Sequence, residues 1–192
     1  MLRGVILGIV LGILLVMASV YFYFSTGRAP VAVTDPAMPF EHTLARMGLH
    51  AYMDKQPHLE PQVPADEPNF LAGAQVYKQN CAACHGLPGE PKTNIAEGMA
   101  PDPPQLFHGK GVTDDEPWET YWTAANGIRM TGMPGFKGRL SDTQLWQVTM
   151  LVKGADKISA AVKSALMRNE VPGSPTTLPA TSPVNSPGAP IQ

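Results

Sequence analysis

The chain has 192 residues, which suits one domain with extensions, and its formal net charge of −2 predicts no attraction to a polyanion. Within residues 66–156, however, eleven acidic residues face seven basic ones, a net charge of −4. Because a nucleic-acid-binding domain is expected to present a basic face, this balance argues against nucleic acid as a partner. It agrees better with a partner that has a basic docking patch, or simply with a solvated acidic surface.

The N-terminal region contains an uncharged run from Gly4 to Phe24. A helix of that length spans about 31 Å, close to the roughly 30 Å core of a bilayer. Aromatic residues at positions 21–24 end the run, as expected at a membrane interface. The sequence therefore predicts a single-pass anchor over residues 1–27 with a short cytoplasmic N-terminus. The alternative is a signal peptide cleaved after Ala18, which would leave an exposed aromatic start.

Residues 28–65 predict an extended, proline-containing tether with one short amphipathic helix. Polar residues separate the apolar residues of that helix, which are Phe40, Leu44, Met47 and Tyr52. The helix is expected to lie either on the following domain or on a partner.

The central motif is Cys81-Ala82-Ala83-Cys84-His85, which holds both cysteines of the chain. Two thiols spaced by two residues and followed by histidine are the attachment signature of a c-type haem. The two sulfurs can form thioether bonds to the haem vinyl groups, and the imidazole can ligate the iron. A thioredoxin-like pair is disfavoured because no βαβ pattern surrounds the motif. A zinc site would need a second CxxC, and a structural disulfide would leave His85 unexplained.

The residues around this motif resemble those of a known family. Residues 72–77 and 80–86 are similar to the opening of a class I cytochrome c domain. Residues 126–136 resemble the loop of that family that supplies the sixth iron ligand, and residues 141–152 resemble its closing helix. The resemblance covers about residues 66–156. It implies an all-α, class I cytochrome c fold, here with an N-terminal transmembrane helix, and one covalently attached haem c.

The resemblance also implies the two axial ligands of the iron. His85 would be one ligand and Met133 the other, because the ligand methionine of the family usually stands in a Met-Pro context. Pro134 would restrain the loop so that the thioether stays aimed at the iron, and a neutral sulfur ligand raises the potential of the couple. The alternatives that stay open for the sixth position are Met130, Met99 and His108.

Other residues are predicted around the haem. In the family, a proline carbonyl accepts the Nδ1 proton of the ligand histidine, and the resemblance assigns this role to Pro104, with Pro103 as the alternative. Leu106 is expected to pack on the haem. The remaining side chains predicted in or near the pocket are Trp118, Tyr121, Trp122, Arg129, Met130, Pro134 and Phe136.

The helices that frame the domain also have sequence signals. Asn69 is a good N-cap for the first helix, and Gly73 would permit its close approach to the closing helix. Residues 141–144 form a capping box at the start of that closing helix. Residues 157–171 predict a short extra helix. Residues 172–192, rich in Pro, Ser and Thr, are predicted to be disordered.

The predicted function is one-electron transfer by a covalent haem c with His/Met ligation. The chain would act as a membrane-tethered carrier or as the haem subunit of a respiratory complex. Six-coordinate iron has no open site, so neither a catalytic residue nor a small-molecule substrate is expected. The alternative is a haem enzyme or a gas or redox sensor in which the methionine dissociates, although no distal acid–base residue is evident.

The expected partners are the membrane and a redox protein or membrane oxidoreductase complex. Haem attachment of this type occurs outside the cytoplasm. The haem domain is therefore expected on the outer, periplasmic side of the cell membrane.

Overall fold

A computed structural model describes residues 1–109 and 111–168. These residues form helices joined by turns and loops, without a strand among them, so the predicted all-α fold is confirmed. The helices of this part of the chain are α1 (Leu2–Ser25), α2 (Glu41–Met53), α3 (Glu67–Asn80), α4 (Ala82–His85), α5 (Asn94–Glu97), α6 (Pro117–Asn126), α7 (Asp142–Lys153) and α8 (Ala160–Met167). The disorder predicted for residues 172–192 lies outside the described residues.

Helix α1 is apolar on every side. Its mean hydropathy is 2.7 and none of its residues is buried. Among the described helices, it is the one with the length and composition to cross a membrane. A helix that is apolar all round and has no buried residue is typical of a segment surrounded by lipid.

The core of the domain lies where α3 crosses α7. A Cβ atom added to Gly73 of α3 would lie 2.3 Å from the backbone oxygen of Gln147, so only glycine permits this approach of the two helices. The Gln147 side chain also donates a hydrogen bond of 3.1 Å to Asn69. Helix α8 then packs against α3 and buries Val162 and Leu166 completely. Burial of each large apolar side chain stabilises the fold by about 1.5–3 kcal/mol.

The helix starts follow local chemistry. The capping box at Ser141 is present. Its hydroxyl accepts a hydrogen bond from the Gln144 backbone amide, and the Gln144 side-chain oxygen accepts one from the Ser141 backbone amide. Helix α3, in contrast, begins earlier than Asn69. The Asp66 carboxylate accepts the Asn69 amide proton at 3.1 Å and is the true N-cap. A carboxylate also interacts favourably with the positive end of the helix dipole, which explains why Asp66 takes this position.

Residues 28–65 are less extended than a free tether. The amides of Val31 and Ala32 both donate to the Asp35 carboxylate at 2.8 Å, which closes a tight turn. After α2, the chain runs along α6, where the His58 ring stacks on Trp118 with 4.0 Å between the ring centroids. This N-terminal segment therefore packs on the domain that it precedes.

Candidate haem site

The CxxCH motif forms a single helical turn directly after α3. Cys81 ends α3 and begins α4, and its carbonyl oxygen accepts the His85 amide proton at 2.9 Å. Gly86 ends the turn with φ of +72°, a conformation that favours glycine. Both cysteines are partly buried, and neither is in a disulfide. Burial raises the pKa of Cys81 to about 12, and repulsion from Cys84 adds to the effect.

The His85 imidazole is oriented by the backbone of a distant loop. Its Nδ1 atom lies 2.8 Å from the carbonyl oxygen of Pro104, which can only accept a hydrogen bond. Nδ1 is therefore the protonated nitrogen, and the lone pair of Nε2 stays available for a metal. Burial lowers the pKa of His85, against a smaller opposing effect of the Pro104 carbonyl. The imidazole is thus favoured in its neutral form, and its contact is with Pro104 rather than Pro103.

Two further side chains brace this turn. The buried Tyr77 hydroxyl donates to the Gly86 carbonyl at 2.8 Å, and the Thr93 hydroxyl donates to the Ala83 carbonyl at 2.8 Å. Neither Tyr77 nor Thr93 was predicted at the site from the sequence. Thr93 could have been found as the N-cap of α5, because its hydroxyl also accepts from the Ala96 amide. No sequence signal indicated the bond from Tyr77.

The loop that carries Pro104 is closed by an ion pair between Lys92 and Asp102. The hydrogen bond from Lys92, assisted by its positive charge, lowers the pKa of Asp102. Leu106 follows this loop and packs against the same apolar cluster as Cys81. The histidine side of the site therefore joins α3, α4 and the loop before residue 107.

The segment that carries Met133 folds back onto the end of α6. The amides of Phe136 and Lys137 donate to the carbonyls of Ala124 and Ala125 at 3.0 and 2.9 Å. Gly127 ends α6 with φ of +70°, and a Cβ atom there would lie 2.6 Å from the Gly135 nitrogen. Two backbone segments are therefore in direct contact, a geometry that side chains at these positions would prevent.

Met133 itself is half-buried and packs against the apolar cluster of Ala125, Phe136 and Leu145. Its amide donates to the Thr131 hydroxyl at 3.1 Å, and its carbonyl accepts from Ile128 at 3.2 Å. These contacts hold the backbone of the residue from both sides.

The alternative sixth ligands occupy different surroundings. Met130 is 92% exposed and has φ of +62°, so its side chain lies at the tip of a turn. The Met99 side chain lies against Gly132, where its methyl group occupies the space that a Cβ atom would need. His108 is exposed. Met133 is therefore the only one of these four that packs with a described buried cluster of the domain.

The three aromatic residues predicted at the pocket have ring contacts in other directions. Trp118 stacks on His58, and the ring centroids of Trp122 and Tyr52 are 5.8 Å apart. His58 and Tyr52 belong to the N-terminal segment. Tyr121 instead stacks on Trp146 at 4.3 Å and donates to Asp142. The pocket roles of Trp118 and Trp122 stay predictions, because the N-terminal segment packs on the same aromatic face.

The remaining predicted pocket residues divide by burial. Phe136 is buried, whereas Arg129 and Pro134 are exposed beside it. Tyr121 and Met133 both pack against the cluster of Ala125, Phe136 and Leu145.

The residues present fit a covalent haem. Two cysteines stand at the required spacing, and an imidazole favoured in its neutral form is oriented next to them. No group of three or more His, Cys, Asp or Glu residues in the described ranges could bind a separate metal ion.

Comparison with known proteins agrees with this reading. A family model described as cytochrome c oxidase, cbb3-type, subunit III matches residues 68–150. Cytochrome c6 of Limnospira maxima is 36% identical over 84 residues, which are 44% of this chain and 90% of that protein. The cbb3-type cytochrome c oxidase subunit FixPc of Rhizobium leguminosarum bv. viciae is 35% identical over 89 residues. That match covers 46% of this chain and only 29% of FixPc.

A solved structure of the reducing HAO-like protein complex of Kuenenia stuttgartiensis is similar with a TM-score of 0.43 and 26% identity. The match covers 55% of this chain and 54% of the other.

Because the similarity to cytochrome c6 extends over nearly all of that protein, the chain belongs to the class I c-type cytochromes. Its cofactor is a covalently bound haem c, and its function is haem-mediated electron transfer.

Proposed function

We propose that this chain is a membrane-anchored one-electron carrier that works with a redox complex in the same membrane. The observation that supports it most directly is the His85 imidazole within an intact CxxCH turn, where burial favours its neutral form and the Pro104 carbonyl fixes its tautomer. Residues 1–27 would be the anchor and residues 66–156 the haem domain. The family description and the name of FixPc, both of cbb3-type oxidase subunits, support a membrane oxidase as the partner.

Each site residue has a defined role in this proposal. Cys81 and Cys84 would hold the haem by thioether bonds, and His85 and Met133 would be the axial ligands. When bound, haem c supplies one Fe(III)/Fe(II) couple, so an electron taken from a reduced donor passes to an oxidised acceptor. The Pro104 carbonyl keeps the imidazole in one tautomer and strengthens it as a ligand. The backbone contacts of Met133 with Thr131 and Ile128 would help to position its side chain for this role.

This ligand set argues for a carrier rather than an enzyme. A histidine and a methionine would occupy both axial positions, so a substrate would find no open site. The similarity to cytochrome c6 supports this view. Because c-type haem is attached outside the cytoplasm, the haem domain would lie on the outer side of the cell membrane, with the N-terminus of α1 inside.

The sixth ligand provides the test. Met133→Ala in the haem-loaded protein is expected to abolish the weak far-red band of ferric methionine-ligated haem, to lower the reduction potential and to allow carbon monoxide to bind. Met130→Leu is the matched control, because its exposed side chain can change with little effect on packing. If only Met130→Leu removes the band, the ligand assignment is reversed. If the unaltered protein already binds carbon monoxide readily, the carrier proposal is wrong.

The cofactor and the anchor can be checked on the same preparation. The haem should stay on the polypeptide through an acid–acetone wash, and the protein should leave membranes with detergent but not with high salt. Cys81→Ala together with Cys84→Ala should release the haem in the wash. A mature chain that begins at Ser19 would show that α1 is a cleaved signal.

A further inference from the structure

We propose that helix α2 lies on the outer surface of the same bilayer that α1 crosses, and that this contact fixes the orientation of the cytochrome domain. The contact surface is an apolar stripe formed by Phe40, Leu44 and Met47. This inference rests on the proposed anchoring of α1 in the membrane. It concerns how the haem domain is presented to its partners, which the anchor alone does not determine.

The stripe is exposed although its side chains are large and apolar. Phe40 is 76% exposed, Leu44 58% and Met47 60%. Leu44 and Met47 are three residues apart and so lie on one side of the helix, and Phe40 is the residue that immediately precedes it. A continuous apolar surface of this kind on a folded domain marks a contact with a membrane or a partner.

On the side of α2 opposite the stripe, burial is confined to the C-terminal part of the helix. Met53 is buried, with 6% of its side chain exposed, and Leu49 is half-buried. Beyond the helix, His58 stacks on Trp118 of α6. The domain therefore contacts α2 near its C-terminal end, where the Tyr52 and Trp122 ring centroids are 5.8 Å apart, and the stripe lies outside this contact. Whatever binds the stripe also fixes the direction of the domain.

The segment between α1 and α2 folds back and brings the start of α2 to the end of α1. One cleft of about 440 Å³ is lined by Tyr23, Gly27 and Arg28 together with Met38 and Pro39. Met38 and Pro39 directly precede Phe40.

Hydrogen bonds hold this arrangement. The turn closed by Asp35 lies within the segment, and the Met38 amide donates to the Glu41 carboxylate at 2.8 Å. The stripe thus begins beside the aromatic end of α1, where the interface of the membrane is expected.

The bilayer is the occupant that these observations favour. Amphipathic helices with apolar residues on one side lie in the plane of the interface, with those residues at the boundary of headgroups and acyl chains. A short stripe binds lipid weakly by itself. Here α1 would hold it permanently next to the membrane, so the effective concentration of the lipid surface is high.

The orientation of the haem provides the test. The full-length, haem-loaded protein would be reconstituted into bilayers of phosphatidylcholine and phosphatidylglycerol and aligned on a support. Polarised absorption of the haem should then show linear dichroism. Leu44→Ser with Met47→Ser should abolish most of the dichroism, while the protein stays in the bilayer with an unchanged haem spectrum. Thr43→Ser with Arg46→Ser is the matched control on the same exposed helix and should keep the dichroism.

Other outcomes overturn the inference in distinguishable ways. An isotropic signal from the unaltered protein, or full dichroism in the Leu44/Met47 variant, would show that the stripe does not bind lipid. If the unaltered protein is isotropic and the variant loses a subunit that co-purifies from native membranes, the stripe binds protein. Failure of the haem-loaded protein to enter bilayers at all would overturn the anchor, and this inference with it.

Discussion

The two sides of the haem site are held by different kinds of contact. On the histidine side, side chains bind the backbone across long stretches of sequence: His85 to Pro104, Thr93 to Ala83 and Tyr77 to Gly86. On the side of Met133, the backbone of the loop packs directly on the backbone at the end of α6. Glycine permits this close approach because it has no side chain. Gly127 and Gly135 lie against each other where the loop that carries Met133 returns to α6.

This difference predicts how each side fails. A hydrogen bond on the histidine side is one of several, so its loss should weaken the turn by a limited amount. The glycine contact leaves no space for even one added carbon atom, and backbone atoms cannot rotate out of the way. The methionine side should therefore be far less tolerant of small substitutions than the histidine side.

The largest effect is expected from Gly127→Ala. The new Cβ atom would meet the Gly135 nitrogen at 2.6 Å and the Met133 oxygen at 2.7 Å, and φ of +70° is itself unfavourable for alanine. We expect a loss of about 3 kcal/mol in the free energy of unfolding, measured in urea, together with loss of the far-red band. Gly98→Ala is the control, since its Cβ would meet nothing closer than 3.6 Å. Equal stabilities of the two variants would contradict the proposed contact.

A smaller effect is expected from Tyr77→Phe. The change removes the buried hydroxyl that donates to the Gly86 carbonyl and leaves that carbonyl without its partner. We expect a loss of about 1.5 kcal/mol in the free energy of unfolding, with the far-red band retained. If the band disappears while stability is unchanged, the two sides are coupled more closely than the comparison allows.

Thr93→Val should cost about 1 kcal/mol, because it removes both the cap of α5 and the bond to the Ala83 carbonyl. Thr93→Ser keeps the hydroxyl and should restore most of the loss. Thermal unfolding of the three proteins under one condition would measure this. A serine variant as unstable as the valine variant would show that the methyl group, and not the hydroxyl, supports the turn.

The smallest effect is expected from Lys92→Met, because the ion pair with Asp102 is at the surface and is screened by salt. The pKa of Asp102 is lowered in the folded state, so the pair stabilises the fold above the usual aspartate value of 3.8. That stabilisation is lost as the pH falls through the lowered pKa. The difference between the two proteins should therefore be present at neutral pH and vanish in acid. A difference that grows in acid would contradict the pair.

The sequence by itself determined the chemistry of the site. CxxCH is a local motif, and neighbouring residues in one turn need no tertiary contact to be recognised. The apolar run of α1 and the capping box at Ser141 were equally readable, because both depend on residues close in sequence. The bond between His85 and Pro104 was also expected, but only through the family resemblance.

Only the tertiary structure decided which aromatic rings pack where. Trp118, Tyr121 and Trp122 share one helical spacing, yet two of them contact the N-terminal segment and one contacts α7. Helical periodicity indicates which residues share a face, but not which neighbour covers it. The folding back of residues 26–40 onto the end of α1 could not be predicted from the sequence for the same reason. It depends on a turn that the Asp35 carboxylate closes. Contacts between segments distant in sequence arise from the packing of the whole domain, which local patterns do not contain.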